Sequence, residues 1–231
     1  MASLKYFAFC AAAALAIPVT PEAPELVPRG TAVGNGEHDG FFYNFWTDGG
    51  GHVTYQNKAN GAYSVDWQDC SSFFGGKGWN PGRMDRNITF SGRFNAESNA
   101  YLSVYGTTRN PKVEYYVIED YGSYDPTLQF AGGIQNGREG GTIQVDGGSY
   151  KIGYTRHTFM VPVGGDSVVT RVYSVRSAAD RRASGTVNMQ AHFDAWIEKL
   201  GLRVGTMEFQ IVATEGYKGS GEAEITVSKR A

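Results

Sequence analysis

The sequence predicts an all-β sandwich with a single amphipathic helix lying on it, and three observations carry that prediction. Glycine fills 31 of 231 positions, about 13% against a usual 7%. Aromatic residues supply another 13%, and charged residues only 19%. From Gly40 onward, short segments of alternating polarity succeed one another between Gly, Asn and Asp turns, which favours packed antiparallel sheets over βαβ units. The formal net charge of −2 leaves no basic excess for phosphate contact and argues against nucleic acid as a partner. A hydrophobic content of 41% can offset the entropy of ordering, so the chain is not a disordered one.

Taken from the N-terminus, Lys5 precedes an apolar run from Tyr6 to Leu15 that ends in Ala14-Leu15-Ala16. That is the pattern of a secretory signal peptide, residues 1–16. The run is shorter than the roughly 20 residues that span a bilayer, and no longer apolar stretch follows. Residues 17–29, rich in Pro and Glu between Pro18 and Arg29, read as a pro-segment cut after Arg29; a flexible mature N-terminus or a linker is the alternative. The remaining chain, 30–231, shows no composition shift, repeat or low-complexity tract and is expected to be one domain. It keeps Cys70 as its one cysteine, which precludes an intramolecular disulfide. A secreted, extracellular protein follows, and the sequon Asn87-Ile88-Thr89 suits a secreted surface.

Strands are expected at Phe41–Thr47, His52–Gln56, Tyr63–Trp67, Asn87–Phe94, Ala100–Thr107, Val113–Tyr121, Thr142–Val145, Ser167–Ser177, Thr206–Thr214 and Ala223–Ser228. One segment is helical instead. Phe193, Trp196, Ile197 and Leu200 recur at i, i+3, i+4 and i+7, Asn188 can cap the start, and Gly201 supplies the stop.

Strand parity isolates two carboxylates. In Tyr101–Thr107, Leu102 and Val104 share one face while Tyr101, Ser103, Tyr105 and Thr107 share the other. Glu114 is co-facial with Tyr116 and Ile118. Glu215 continues the face of Phe209, Ile211 and Ala213, with Tyr217 two positions on. Paired sheet carboxylates among rings can hydrolyse glycosides, because rings stack on sugar faces while one carboxyl attacks the anomeric carbon and the other protonates the leaving oxygen. Parity alone leaves open whether the two meet, or whether each is an ordinary strand residue or half of an ion pair. The four histidines show no metal-ligand spacing, so no metal or other cofactor is expected. Neither a phosphate loop nor a Gly-x-Ser-x-Gly elbow occurs.

An ordered series of motifs then narrows the reading. Phe45-Trp46-Thr47-Asp48-Gly49-Gly50, Tyr63-Ser64-Val65-Asp66-Trp67, Gly76-Lys77-Gly78-Trp79-Asn80 and Tyr101-Leu102-Ser103-Val104-Tyr105-Gly106 come first. Pro111-Lys112-Val113-Glu114-Tyr115-Tyr116-Val117-Ile118-Glu119, His192-Phe193-Asp194-Ala195-Trp196 and Ala213-Thr214-Glu215-Gly216-Tyr217 follow. From about Gly40 to Ser228 the chain closely resembles the glycoside hydrolase family 11 endo-β-1,4-xylanases. The resemblance implies a jelly roll of two twisted antiparallel sheets with one helix, and a cofactor-free, monomeric enzyme acting on xylan. It makes Glu114 the nucleophile and Glu215 the acid/base of a retaining double displacement, with carboxyls roughly 5–5.5 Å apart. Glu215 must then hold a raised pKa. Trp46 matches the family's indole platform, Tyr105 and Tyr116 match tyrosines that hold the sugar beside the nucleophile, and Tyr101 and Tyr217 share their faces.

Several positions depart from the family pattern. The partner of the acid/base, usually Asn or Asp, falls on Ser72; a tryptophan after Tyr-Gly is Thr107; and Tyr-Gln-Ile reads Phe209-Gln210-Ile211. The thumb is Val161-Pro162-Val163-Gly164-Gly165-Asp166, with Pro162 matching the family's proline. Its arginine falls on Arg156, or its place is taken by His157, and its glutamine falls on Arg171. Two other functions stay open at this point: a polysaccharide-binding or elicitor-like protein of the same fold with little catalysis, and a β-1,4-glucanase.

Overall fold

The computed structural model of the protein describes residues 30–131, 136–161 and 165–228. The signal peptide and pro-segment read over 1–16 and 17–29 lie outside the described residues, as does Pro162 at the thumb tip. Among the described residues the strands are β1 (Gly34–His38), β2 (Phe41–Thr47), β3 (His52–Asn57), β4 (Ala62–Trp79), β5 (Asn87–Ala96), β6 (Asn99–Arg109), β7 (Val113–Tyr121), β8 (Arg138–Val145), β9 (Gly148–Val161), β10 (Gly165–Arg176), β11 (Gly185–Asn188) and β12 (Thr206–Val227). A 3-10 turn, Pro126–Gln129, follows β7, and the helix α1 (Met189–Leu200) lies between β11 and β12.

Two long strands hold the two layers together. The first half of β4 pairs with β3, and its second half, Phe73–Gly78, pairs with β2. Similarly, β12 pairs with β6 through Tyr217 and with β5 from Gly221 onward, and its register against β4 shifts between Gly219 and Gly221. One layer therefore runs β3-β4-β12-β5-β11 and the other β1-β2-β4-β12-β6-β7-β10-β9-β8. The sandwich is as expected, with one correction: it is not purely antiparallel, because β10 runs parallel to β7. The β8–β9 hairpin intervenes between them, so the chain returns beside β7 in its original direction.

The core fills the space between the layers. Leu102, Val104, Tyr115 and Val117 meet Tyr63, Val65, Ile88 and Phe90 there, all fully buried. The aliphatic parity of β6 thus faces inward and its tyrosine parity faces the concave outer side. A second cluster lies on that side and contains Tyr101, Tyr116, Ile118, Phe130 and Tyr173. Gly76 lies where β4 passes so close to β12 that a Cβ would strike the backbone at Val212–Ala213.

The helix forms where predicted. The Asn188 side chain accepts from Ala191 N at 3.3 Å, and Gly201 takes the left-handed conformation at φ 68° that ends it. Its buried face is His192, Phe193, Trp196 and Leu200, whereas Ile197 is exposed. His192 replaces Ile197 in the stripe because its ring is satisfied, by Ser174 Oγ at 2.9 Å and Asp146 Oδ2 at 3.2 Å. Burying Phe193 alone contributes about 1.5–3 kcal/mol.

Candidate active site

The concave face is built from residues that alternate along five adjacent strands. Tyr105 of β6 stands opposite Tyr116 of β7, which stands opposite Tyr173 of β10. Their rings form a continuous floor: Tyr105 and Tyr116 have centroids 4.8 Å apart, and Tyr116 stacks on Tyr173 at 5.2 Å. Phe74 of β4 closes the row, with its ring 4.8 Å from Tyr105 at a near-perpendicular angle. Burial holds the Tyr105 and Tyr116 hydroxyls well above their ordinary pKa, and the charges of Glu114 and Glu215 add to this. Tyr173 is pushed up to about 12, again chiefly by burial. These hydroxyls stay protonated, and so remain donors, across the neutral range.

Glu114 lies two positions along β7 from this floor, on the same face, between Thr107 on β6 and Arg171 on β10. Arg171 Nε donates to Glu114 Oε2 at 2.7 Å, with the two side chains 35% and 18% exposed. Glu114, Tyr105, Thr107, Asn44 and Phe209 line a cavity of about 640 Å³. Thr107, in place of a tryptophan, is buried and donates its hydroxyl to Glu208 at 2.9 Å. Phe209 lies 5.7 Å from Tyr105, so the ring is kept without its hydroxyl.

Glu215 approaches from β12, where it pairs with Tyr101 on one side and Phe74 on the other. Its carboxyl is pushed up to about 7, first by burial and then by the charge of Glu114, while Arg171 opposes the rise. Along β6 the partners of Glu215 and Glu114 are Tyr101 and Thr107, six positions apart. On a flat sheet that offset would be about 20 Å. Direct pairing therefore does not join the two carboxylates, yet the charge of Glu114 still acts on Glu215.

A second cavity of about 220 Å³ opens beside Glu215, lined by Ser72, Asn99, Tyr101, Gln129 and Tyr217. Ser72 shares this space with Glu215, but its hydrogen bonds are made through its backbone, to Thr47 and Asp48. Trp46 stands opposite Phe74, which in turn pairs with Glu215, and its indole is 47% exposed; Tyr217 is 46% exposed at the rim. An exposed indole and phenol flanking a half-buried acid form a surface suited to the apolar face of a sugar.

Arg156 requires a correction. Thr155 pairs with Arg171 on the concave side, so Arg156 projects to the opposite face. There its guanidinium lies 4.9 Å from the Tyr154 ring, in a pocket shared with Leu200 and Arg203 beyond the helix. His157 occupies the cleft side instead, bonded to Thr155 Oγ1 at 3.1 Å, and its pKa is lowered by burial and by Arg171. Gln129, which the sequence reading passed over, donates to the Tyr101 hydroxyl at 3.2 Å. It sits in a single 3-10 turn where no periodicity marks it. Tyr173, to which the sequence reading gave no site role, is co-facial with Arg171 two positions earlier.

The family description "Glycosyl hydrolases family 11" matches residues 38–226. Among curated relatives, endo-1,4-beta-xylanase I of Cochliobolus carbonum is 46% identical over 96% of this chain and 95% of its own length. Endo-1,4-beta-xylanase 2 of Rhizopus oryzae is 47% identical over 84% of each. Ethylene-inducing xylanase 3 of Verticillium longisporum is 44% identical over 95% of this chain and 74% of its own.

Proposed function

Since this chain belongs to the glycosyl hydrolases of family 11, we propose that it is a secreted endo-β-1,4-xylanase that cuts internal xylan bonds with retention of configuration. The observation that carries this reading is Glu215: a half-buried carboxyl whose pKa is pushed up to about 7, first by desolvation and in part by the charge of Glu114. A carboxylic acid still protonated near neutrality, facing a carboxylate, is the division of labour that a double displacement requires.

In this mechanism xylan lies across the tyrosine floor, with pentose rings on Trp46 and the Tyr105 and Tyr116 hydroxyls holding the sugar beside Glu114. Glu114 attacks the anomeric carbon as Glu215 passes its proton to the departing glycosidic oxygen. Water then attacks the same carbon, gives its proton to Glu215 and releases Glu114. Inversion twice at one carbon is net retention, and it requires carboxyls roughly 5–5.5 Å apart.

The test is hydrolysis of unsubstituted xylan, followed by reducing ends and by NMR of the first anomer released. The β-anomer is expected first, and Glu114→Gln or Glu215→Gln should each remove most turnover, since a positioned acid/base alone contributes roughly 10²–10⁴-fold. Release of the α-anomer, or near-normal hydrolysis by both variants, overturns the mechanism. Binding of xylan without release favours a recognition protein, and preferential cleavage of β-1,4-glucan favours a glucanase.

A further inference from the structure

The ion pair between Arg171 and Glu114 has a consequence for the two halves of the reaction. A nucleophilic carboxylate carries its full charge only in the free enzyme. Its charge falls as the ester bond to the sugar forms, is absent in the glycosyl-enzyme, and returns as water displaces it. A guanidinium bonded to one carboxylate oxygen at 2.7 Å therefore stabilises the free enzyme more than either transition state, and stabilises either transition state more than the ester. The backbone keeps the two side chains adjacent, because Arg171 and Glu114 are register partners on the parallel strands β10 and β7. Neither is it a solvated surface contact, since Glu114 is only 18% exposed.

We infer that Arg171 is a positioning residue that sets which half of the double displacement limits turnover, slowing attack by Glu114 and speeding its release. The inference rests on the proposed role of Glu114. In the first half a bond forms between a Glu114 carboxylate oxygen and the anomeric carbon, the glycosidic bond breaks, and the leaving oxygen takes the proton of Glu215. In the second half water bonds to the anomeric carbon and its proton passes to Glu215. The ester bond breaks with its electron pair on Glu114, and the restored carboxylate meets the waiting guanidinium. A neutral glutamine, the residue that the resemblance places at this position, offers the returning charge a weaker partner.

The experiment uses an aryl xylobioside with a dinitrophenolate leaving group, for which kcat reads the second half and kcat/KM the first. Arg171→Gln should lower kcat and KM together by roughly ten- to a hundredfold, the scale of one hydrogen bond to a charged group. Its kcat/KM should be unchanged or raised, and mass spectrometry of the quenched enzyme should show sugar esterified to Glu114. Arg171→Lys, which keeps the cation, should stay within a few-fold of the parent kcat. Equal losses in kcat and kcat/KM with no trapped ester, or a lysine variant that behaves like the glutamine one, overturn the inference. If instead the parent enzyme leaves xylan intact or Glu114→Gln remains active, it is the catalytic assignment that fails.

Discussion

The indole Nε1 of Trp196 donates to the backbone carbonyl of Tyr173 at 3.2 Å, tying the helix to the strand that carries one end of the cleft floor. Tyr173 stacks under Tyr116, so a residue on the far side of the sheet sets the height of a ring on the near side. Trp196→Phe removes the donor, leaves a buried carbonyl without that partner and leaves a small void. The expected loss is about 2–4 kcal/mol, read as a melting temperature lower by roughly 5–15 °C. A variant that melts like the parent would show that the bond holds nothing.

Glu215 should make stability depend on pH in a specific window. Its folded pKa of about 7 lies above the ordinary value of 4.5, so between these values the unfolded chain releases a proton that the folded one retains. Stability from this group is thus intact below about pH 4.5 and is lost as pH rises toward 7. The total is on the order of 3 kcal/mol. Glu215→Gln should therefore be more stable than the parent at pH 8 and indistinguishable from it at pH 4, while losing most activity at both. Denaturant midpoints at the two pH values measure this, and equal midpoint shifts would contradict it.

Much of this arrangement was legible in the chain. The alternation in Tyr101–Thr107 separates Leu102 and Val104 from the tyrosines, and the structure puts them on opposite sides of β6. Asn188 and Gly201 bound the helix as read. Strand length was harder to read. Glycine interrupts the polarity pattern at Gly75, Gly76 and Gly78, and at Gly216, Gly219 and Gly221, yet β4 and β12 run through as single strands. These glycines are needed where a backbone, a ring or, at Gly219, the Ser98 side chain approaches closely, a tertiary demand that leaves no local signal. The strand β9 gives a weak signal for a related reason: polar residues on both of its faces, Lys151 and His157 on one and Arg156 on the other, dilute the apolar alternation. Likewise, the pairing of Arg171 with Glu114 depends on a parallel register between strands distant in sequence, which spacing does not encode.

Tyr116 offers a cleaner probe of sugar contact than the glutamates do. Its hydroxyl lies in the fields of both Glu215 and Glu114, and its ring is fixed between Tyr105 and Tyr173. Tyr116→Phe keeps the stack and deletes only the donor. kcat/KM on xylan should fall roughly 10- to 100-fold, with thermal stability little changed. An unaltered kcat/KM would remove Tyr116 from the binding surface.

The thumb-side cation gives the last prediction. Arg156 and His157 are neighbours in sequence, but the pleat sends them to opposite faces. Arg156 lies over Tyr154 with Leu200 and Arg203 nearby, and His157 lies on the side of Glu114 and Arg171. Arg156→Ala should leave kcat and KM for xylan within about twofold and change stability by no more than about 1 kcal/mol, the scale of an exposed cation–π contact. His157→Ala should alter KM, because its ring shares the cleft with the charged pair and bonds Thr155, whose own register partner is Arg171. Steady-state kinetics of both variants on one xylan preparation decides the matter. A large effect at Arg156 with none at His157 would mean that β9 is out of register by one residue, since a one-residue slip exchanges the two faces of a strand.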